Sequence, residues 1–188
     1  MKSALCVTLL LVACAGPRRL PLSSAAVGGF TTWQTGHDRQ TVQLLPATGT
    51  NALVQRGDSA WMQVKFNVRE YGEVSFPLAN TAPGVEAPRA DLSGCKSVRI
   101  TYKANQAFIV QLRQTGVHGG IQNHIELPTS VQSTTVTVPF TQFTGGLKPL
   151  ALNDVAKFNF AFLSNNTAEG YAELIVYDVV VDGYTAPR

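Results

Sequence analysis

From residue 40 onward the chain is a succession of short runs rich in Val, Thr and aromatic side chains, each closed by Gly, Asn, Pro or Asp. No segment sustains the apolar period of a helix. The runs predict strands over Thr41 to Pro46, Ala52 to Arg56, Trp61 to Val68, Glu73 to Leu78, Lys96 to Lys103, Phe108 to Thr115, Gln122 to Leu127, Thr134 to Phe140, Val155 to Ser164 and Tyr171 to Asp182. Thr48-Gly49-Thr50-Asn51, Gly116 to Gly120 and Gly145-Gly146 punctuate them, because Gly and Asn reach backbone conformations that turns require. Ten strands in one domain predict an all-β fold, a two-sheet antiparallel β-sandwich.

Side chains alternate across a strand, so parity separates core from outer face. Inward fall Met62, Val64, Phe66 and Val68; Val98, Ile100 and Tyr102; Phe108, Val110 and Leu112; Ile125 and Leu127; Val136 and Val138; and Phe158, Phe160 and Phe162. Outward fall Trp61, Gln63, Lys65 and Asn67; Arg99, Thr101 and Lys103; Gln111 and Arg113; Gln122, His124 and Glu126; and Lys157 and Asn159. The last run, Leu174 to Asp182, breaks the alternation, which predicts a bulge near Tyr177-Asp178 or burial on both faces.

Composition narrows the function. A formal charge of +3 on 188 residues lacks the basic stripe that phosphate backbones demand, so nucleic acid is excluded as the partner. Three scattered cysteines make neither a disulfide framework nor a zinc cage, and Cys95 reads as a small buried hydrophobe. His37, His118 and His124 are isolated, without metal-ligand spacing. Nothing pairs a nucleophile with a base, and hydrolysis would need two carboxylates facing each other across a cleft.

The amino terminus has the layout of an export signal: Lys2, the apolar run Ala4 to Ala13, then small residues. The run is too short to span a bilayer. Leu11-Val12-Ala13-Cys14 resembles the bacterial lipobox, which implies acylation of Cys14 as the mature first residue and a membrane association made only through that lipid anchor. The rival is cleavage after Ala15 or after Ala26, releasing a secreted protein. Residues 1–14 thus read as signal, 15–29 as a flexible tether and 30–188 as the folded domain.

Asp91-Leu92-Ser93-Gly94 ahead of the strand at Lys96, Val110-Gln111-Leu112-Arg113, Thr135 to Phe140 followed by Phe143, Leu152 leading into Val155-Ala156-Lys157-Phe158, and the closing Tyr177-Asp178-Val179 come in a familiar order. Over residues 30 to 184 the chain resembles family 11 carbohydrate-binding modules and the related complex I intermediate-associated protein 30-like domains. The resemblance implies a galactose-binding-like jelly roll, with a cleft on the outer face of one sheet that holds a β-glucan chain without cleaving it. It also implies a structural calcium, with Asp178 as its ligand, although Tyr177-Asp178 stands where the family carries two aspartates. The intermediate-associated branch implies the alternative, an assembly protein that binds a protein partner and no sugar.

Sugars present apolar C–H faces edged by hydroxyls, so a polysaccharide or oligosaccharide needs a flat ring and forked polar partners. The outward Trp61, Arg99, Gln111, Arg113, His124 and Asn159 are candidate contacts. Each has a plainer reading: Trp61 covered by a loop, Arg113 paired across strands with a residue such as Glu126, the histidines merely at the surface. A cell-surface or outer-membrane lipoprotein, or a secreted protein, follows from the amino terminus. When the chain is produced in a bacterium, mass spectrometry of its membrane fraction should find a mature form beginning at an acylated Cys14, and Cys14→Ser should leave that fraction empty of it.

Overall fold

The computed structural model describes residues 18–20, 34–48, 50–57, 59–79, 85–117, 120–164 and 170–184. They form strands β1 (Arg18–Leu20), β2 (Gln34–His37), β3 (Val42–Leu45), β4 (Leu53–Arg56), β5 (Ser59–Val68), β6 (Tyr71–Pro77), β7 (Ser97–Ala104), β8 (Phe108–Gln114), β9 (Asn123–Leu127), β10 (Ser130–Pro139), β11 (Val155–Leu163) and β12 (Gly170–Val181). Short 3-10 turns stand at Phe140–Gln142 and Leu152–Asp154. All ten predicted strands are present as β3 to β12. One sheet runs β10-β7-β12-β5-β3, with β4 beside β5 and β1 beside β12; the other runs β2-β6-β11-β8-β9. The strands pair antiparallel throughout both sheets, as the sandwich expectation requires.

The pleat makes the core. Phe66 and Tyr102 from the seven-stranded sheet meet Phe76, Phe108, Phe158, Phe160 and Phe162 from the five-stranded one, all fully buried. Removing each such ring from water contributes about 1.5–3 kcal/mol. Tyr102 packs edge-on against Phe108, with centroids 5.0 Å apart, and its hydroxyl donates to the Pro128 carbonyl. Ile125 and Val136, expected inward, are half-buried against this core. Cys95 is buried as expected, and burial pushes its thiol pKa up. Gly72 is required by close approach: a Cβ there would lie 2.7 Å from the Phe66 ring.

The broken alternation of the last run has the expected cause. The register of β12 against β7 shifts between Val176 and Asp178, and the inward parity is reset there. Leu174 and Val176 point inward before the bulge, Val179 and Val181 after it.

Two strands lie outside the sequence expectation. β2, Gln34-Thr35-Gly36-His37, has no apolar alternation to reveal it, and pairs only with β6. β1, Arg18–Leu20, lies inside residues 15–29 and pairs with Val179 to Val181. The reason is geometric, because β5 accompanies β12 only from Gly170 to Val176 and leaves the rest of that edge open. The signal segment with Cys14, the remainder of the tether, Trp33 and His118 lie outside the described residues.

At one edge of the sandwich the chain crosses between sheets twice, from β2 to β3 and from β5 to β6. Asp38 ties the two crossings together: one carboxylate oxygen accepts the amides of Gln40 and Thr41, and the other accepts the Thr41 hydroxyl and the amides of Glu70 and Tyr71. Desolvation pushes this carboxyl upward, but the donors from Thr41, Tyr71 and Gln40 outweigh it and hold the pKa far below the carboxylate range. A depressed carboxylate contributes stability above its unfolded pKa and loses it as pH falls. Asp38→Asn, which turns an amide N–H₂ toward three donors or toward two, should lower Tm at neutral pH. Thermal melts should show that difference shrinking below about pH 4, where Asp38 itself begins to protonate in the unfolded chain.

Candidate functional site

The outer face of the five-stranded sheet carries an ordered polar row. Gln34 on β2 stands opposite Ser75 on β6, Ser75 opposite Asn159 on β11, Asn159 opposite Gln111 on β8, and Gln111 opposite His124 on β9. One residue from every strand contributes, and each is polar. Next to it runs a second row, Gly36, Glu73, Ala161, Ile109 and Glu126. On the other side Lys157 and Arg113 oppose each other on β11 and β8.

The row is sunk at its centre. Asn159 is 2% exposed, Ser75 5% and Gln111 8%, whereas Gln34, Arg113 and His124 around them are half-buried. Ser75 donates its hydroxyl proton to Asn159 Oδ1 at 2.7 Å, and Asn159 Nδ2 donates to Glu73 Oε2 at 3.4 Å, so the floor is held in one arrangement. The side-chain amide of Gln111 makes no hydrogen bond among the described residues. His124 Nδ1 faces the Gln122 carbonyl at 2.9 Å, which places the proton on that nitrogen. The backbone of His124 bonds in both directions with Thr144, fastening the segment after β10 along the β9 edge.

Of the predicted contacts, Gln111, Arg113, His124 and Asn159 share this face. Trp61 and Arg99 do not: they stand on the seven-stranded sheet, Trp61 on β5 opposite Val54 with the Arg56 guanidinium 5.9 Å over its ring, Arg99 on β7 opposite Thr137 and Val180. An Arg113 to Glu126 pair is not formed, since Glu126 opposes Ile109, four residues along β8 from Arg113. Asp178 sits at the β12 bulge opposite Thr101. Calcium takes six to eight oxygen ligands. Among the described residues no group of three or more His, Cys, Asp or Glu gathers there or elsewhere.

Sequence reasoning missed Gln34, Tyr71, Glu73 and Ser75. Gln34 belongs to the unpatterned β2. The other three share the β6 parity opposite to Val74 and Phe76, a signal that was available, but the predicted strand began at Glu73 and so omitted Tyr71.

The charges of the face are partly desolvated. Burial raises the Glu73 pKa, while Lys157 and Arg113 draw it back down. Burial and the like charge of Arg113 lower the Lys157 pKa, while Glu73 and Glu86 draw it back up. Glu73 and Glu126 stand in the same row, three strand spacings or about 14 Å apart along the backbone, beyond the separation of a glycosidase pair. The face therefore offers amides, hydroxyls and cations for holding a ligand. In a carboxyl ¹³C NMR titration, Glu73 should ionise above the ordinary glutamate value of 4.5. Lys157→Met, which removes a cation that favours the carboxylate, should move that midpoint further up.

No family model and no curated protein matches the sequence. Solved structures do. The chain is similar to the family 11 carbohydrate-binding module of the cellulosomal cellulase Lic26A-Cel5E of Clostridium thermocellum, at 15% identity over 94% of this chain and 100% of that one, with a TM-score of 0.57. It is equally similar, at 15% identity and 0.57 over 90% and 98%, to the Clostridium thermocellum family 11 module in complex with a beta-1,3-1,4-mixed-linked tetrasaccharide. The solution structure of CtCBM11 matches at 17% identity over 93% and 99%, with a TM-score of 0.52. At these identities the likeness is one of architecture, and the architecture is the jelly roll of carbohydrate-binding modules.

Proposed function

We propose that this protein binds a polysaccharide on the outer face of its five-stranded sheet and does not cleave it. The observation that carries the reading is the registered polar row from Gln34 through Ser75, Asn159 and Gln111 to His124. A row perpendicular to the strands repeats about every 4.8 Å, and its half-buried Gln34 and His124, set around a nearly buried polar floor, offer donors and acceptors along a line that a hydroxyl-rich chain can follow. The sunken centre excludes water from the contacts, which strengthens them. Tyr71, exposed on the same face at the β6 end, supplies a ring for the apolar side of a sugar. The bound tetrasaccharide of a structurally similar module supports the same reading. Gln111, Arg113, His124 and Asn159 are the contacts, while Trp61 and Arg99 lie on the wrong sheet for them.

The signal-like amino terminus and the lipobox at Cys14 support a place of action outside the cell, at its surface through a lipid anchor. The protein-partner alternative calls for a contiguous apolar patch. The exposed Val42 and Leu44 lie on β3 at one edge of the seven-stranded sheet and the exposed Val131 on β10 at the other, while the exposed Ile121 and Leu147 are neighbours, joined by a backbone hydrogen bond, and make a patch of only two side chains.

Affinity electrophoresis of the full chain through gels of soluble glucans, xylans, mannans and galactans tests the proposal. At least one polymer should retard the protein. Gln111→Ala should weaken retention about 2- to 12-fold, the worth of one hydrogen bond of about 0.5–1.5 kcal/mol, and Trp61→Ala should leave it unchanged. Retention lost with Trp61→Ala and kept with Gln111→Ala would move the site to the other sheet.

A further inference from the structure

The polar row alone suits any hydroxyl-rich chain, but its flank does not. Lys157 and Arg113 are directly opposed on adjacent antiparallel strands, which brings their Cβ atoms to about 5 Å and is unfavourable for like charges. Neither makes a hydrogen bond or an ion pair with a carboxylate among the described residues. Both are half-buried, and both line a cavity of about 270 Å³ with Gln34 and the segment Val85 to Ala87. Gln34 Nε2, at the end of the polar row, is buried and has no acceptor among the described residues. A cavity thus holds two cations that make no ion pair among the described residues, and an orphaned amide donor.

The acids nearby do not neutralise it. Glu73 stands on β6 in the row beyond Ser75 and Asn159 and accepts from Asn159, while Glu86 lines the cavity but is exposed. Both act on Lys157 only from beyond ion-pair distance. A neutral sugar entering here would take water from two cations and return only hydroxyls, a net loss. An oxyanion would accept from the guanidinium fork, the ammonium and the amide together, and charge-assisted bonds are roughly twice as strong as neutral ones.

We propose that the cleft selects an anionic polysaccharide, and that the cavity between Lys157, Arg113 and Gln34 seats the oxyanion substituent of one sugar residue, a carboxylate or a sulfate ester. This rests on the polysaccharide reading and names its ligand class. The register sets the geometry: the sugar residues lie along the row over Asn159 and Gln111, and the charged substituent of one of them projects sideways toward Lys157 and Arg113, which flank that centre.

The test is affinity electrophoresis of the full chain at about 0.15 M salt, where charges more than about 8 Å apart are screened. The gels contain polygalacturonate, dextran sulfate or an unsubstituted dextran. Arg113→Gln, Lys157→Gln and Gln34→Ala run beside Lys103→Gln, which removes the same charge from an exposed position on the opposite sheet. An anionic polymer should retard the parent at least tenfold more strongly than dextran; Arg113→Gln and Lys157→Gln should each remove most of that difference, and Lys103→Gln should keep it. Retention by polygalacturonate alone assigns a carboxylate, by dextran sulfate alone a sulfate. Thermal melts accompany the variants, and Lys157→Gln should melt no lower than the parent, since a half-buried charge is gone. Equal weakening by Lys103→Gln, or a neutral polymer bound as well as the anionic ones with Arg113→Gln and Lys157→Gln unaffected, would overturn the anionic site and leave polysaccharide binding standing. No retention by these or the neutral polymers would overturn both.

Discussion

The pleat of β11 is the constraint on which the molecule turns. Its even positions carry Phe158, Phe160 and Phe162 into the core, and its odd positions carry Lys157, Asn159 and Ala161 to the outer face. A one-residue slip would expose three phenylalanines and bury a lysine, so the core fixes the register of the strand. The outer face inherits that precision. Because β11 is the middle strand of its sheet, both neighbours are aligned to it, and the residues of four other strands fall into line beside Asn159.

A face built this way carries a burden. Buried polar groups cost free energy unless they are hydrogen-bonded. Ser75 and Asn159 satisfy each other, yet Gln34 Nε2 is left without an acceptor and Lys157 and Arg113 without counter-ions among the described residues. The aromatic core tolerates this because its stabilisation is on the other side of the same strands. Stability and recognition are thus separated by a single backbone thickness. The Asp38 clasp adds rigidity where the chain passes between sheets, next to Tyr71 at the end of the face.

Much of this was legible in the sequence. Ten strands, their inward parity and the interruption at Tyr177-Asp178 follow from local alternation, which depends only on neighbours along the chain. What local pattern does not carry is which strands become neighbours in space. Gln111, Arg113, His124 and Asn159 could be placed outward, and so could Trp61 and Arg99, but only the strand order β2-β6-β11-β8-β9 assigns the first four to one face and the last two to the other. β2 escaped because an edge strand of Gln, Thr, Gly and His buries too little to need an apolar rhythm. β1 escaped because its pairing is dictated by the vacant end of β12 and not by its own residues.

That short strand bears on association. The backbone of Val179 to Val181 is a free hydrogen-bonding edge wherever β1 is missing, and an uncovered, valine-rich edge is a template for joining another sheet. With Arg18–Leu20 in place that edge is covered, whereas a chain lacking those three residues would present it to its copies, so a strand of three residues decides whether the sandwich is closed against self-pairing.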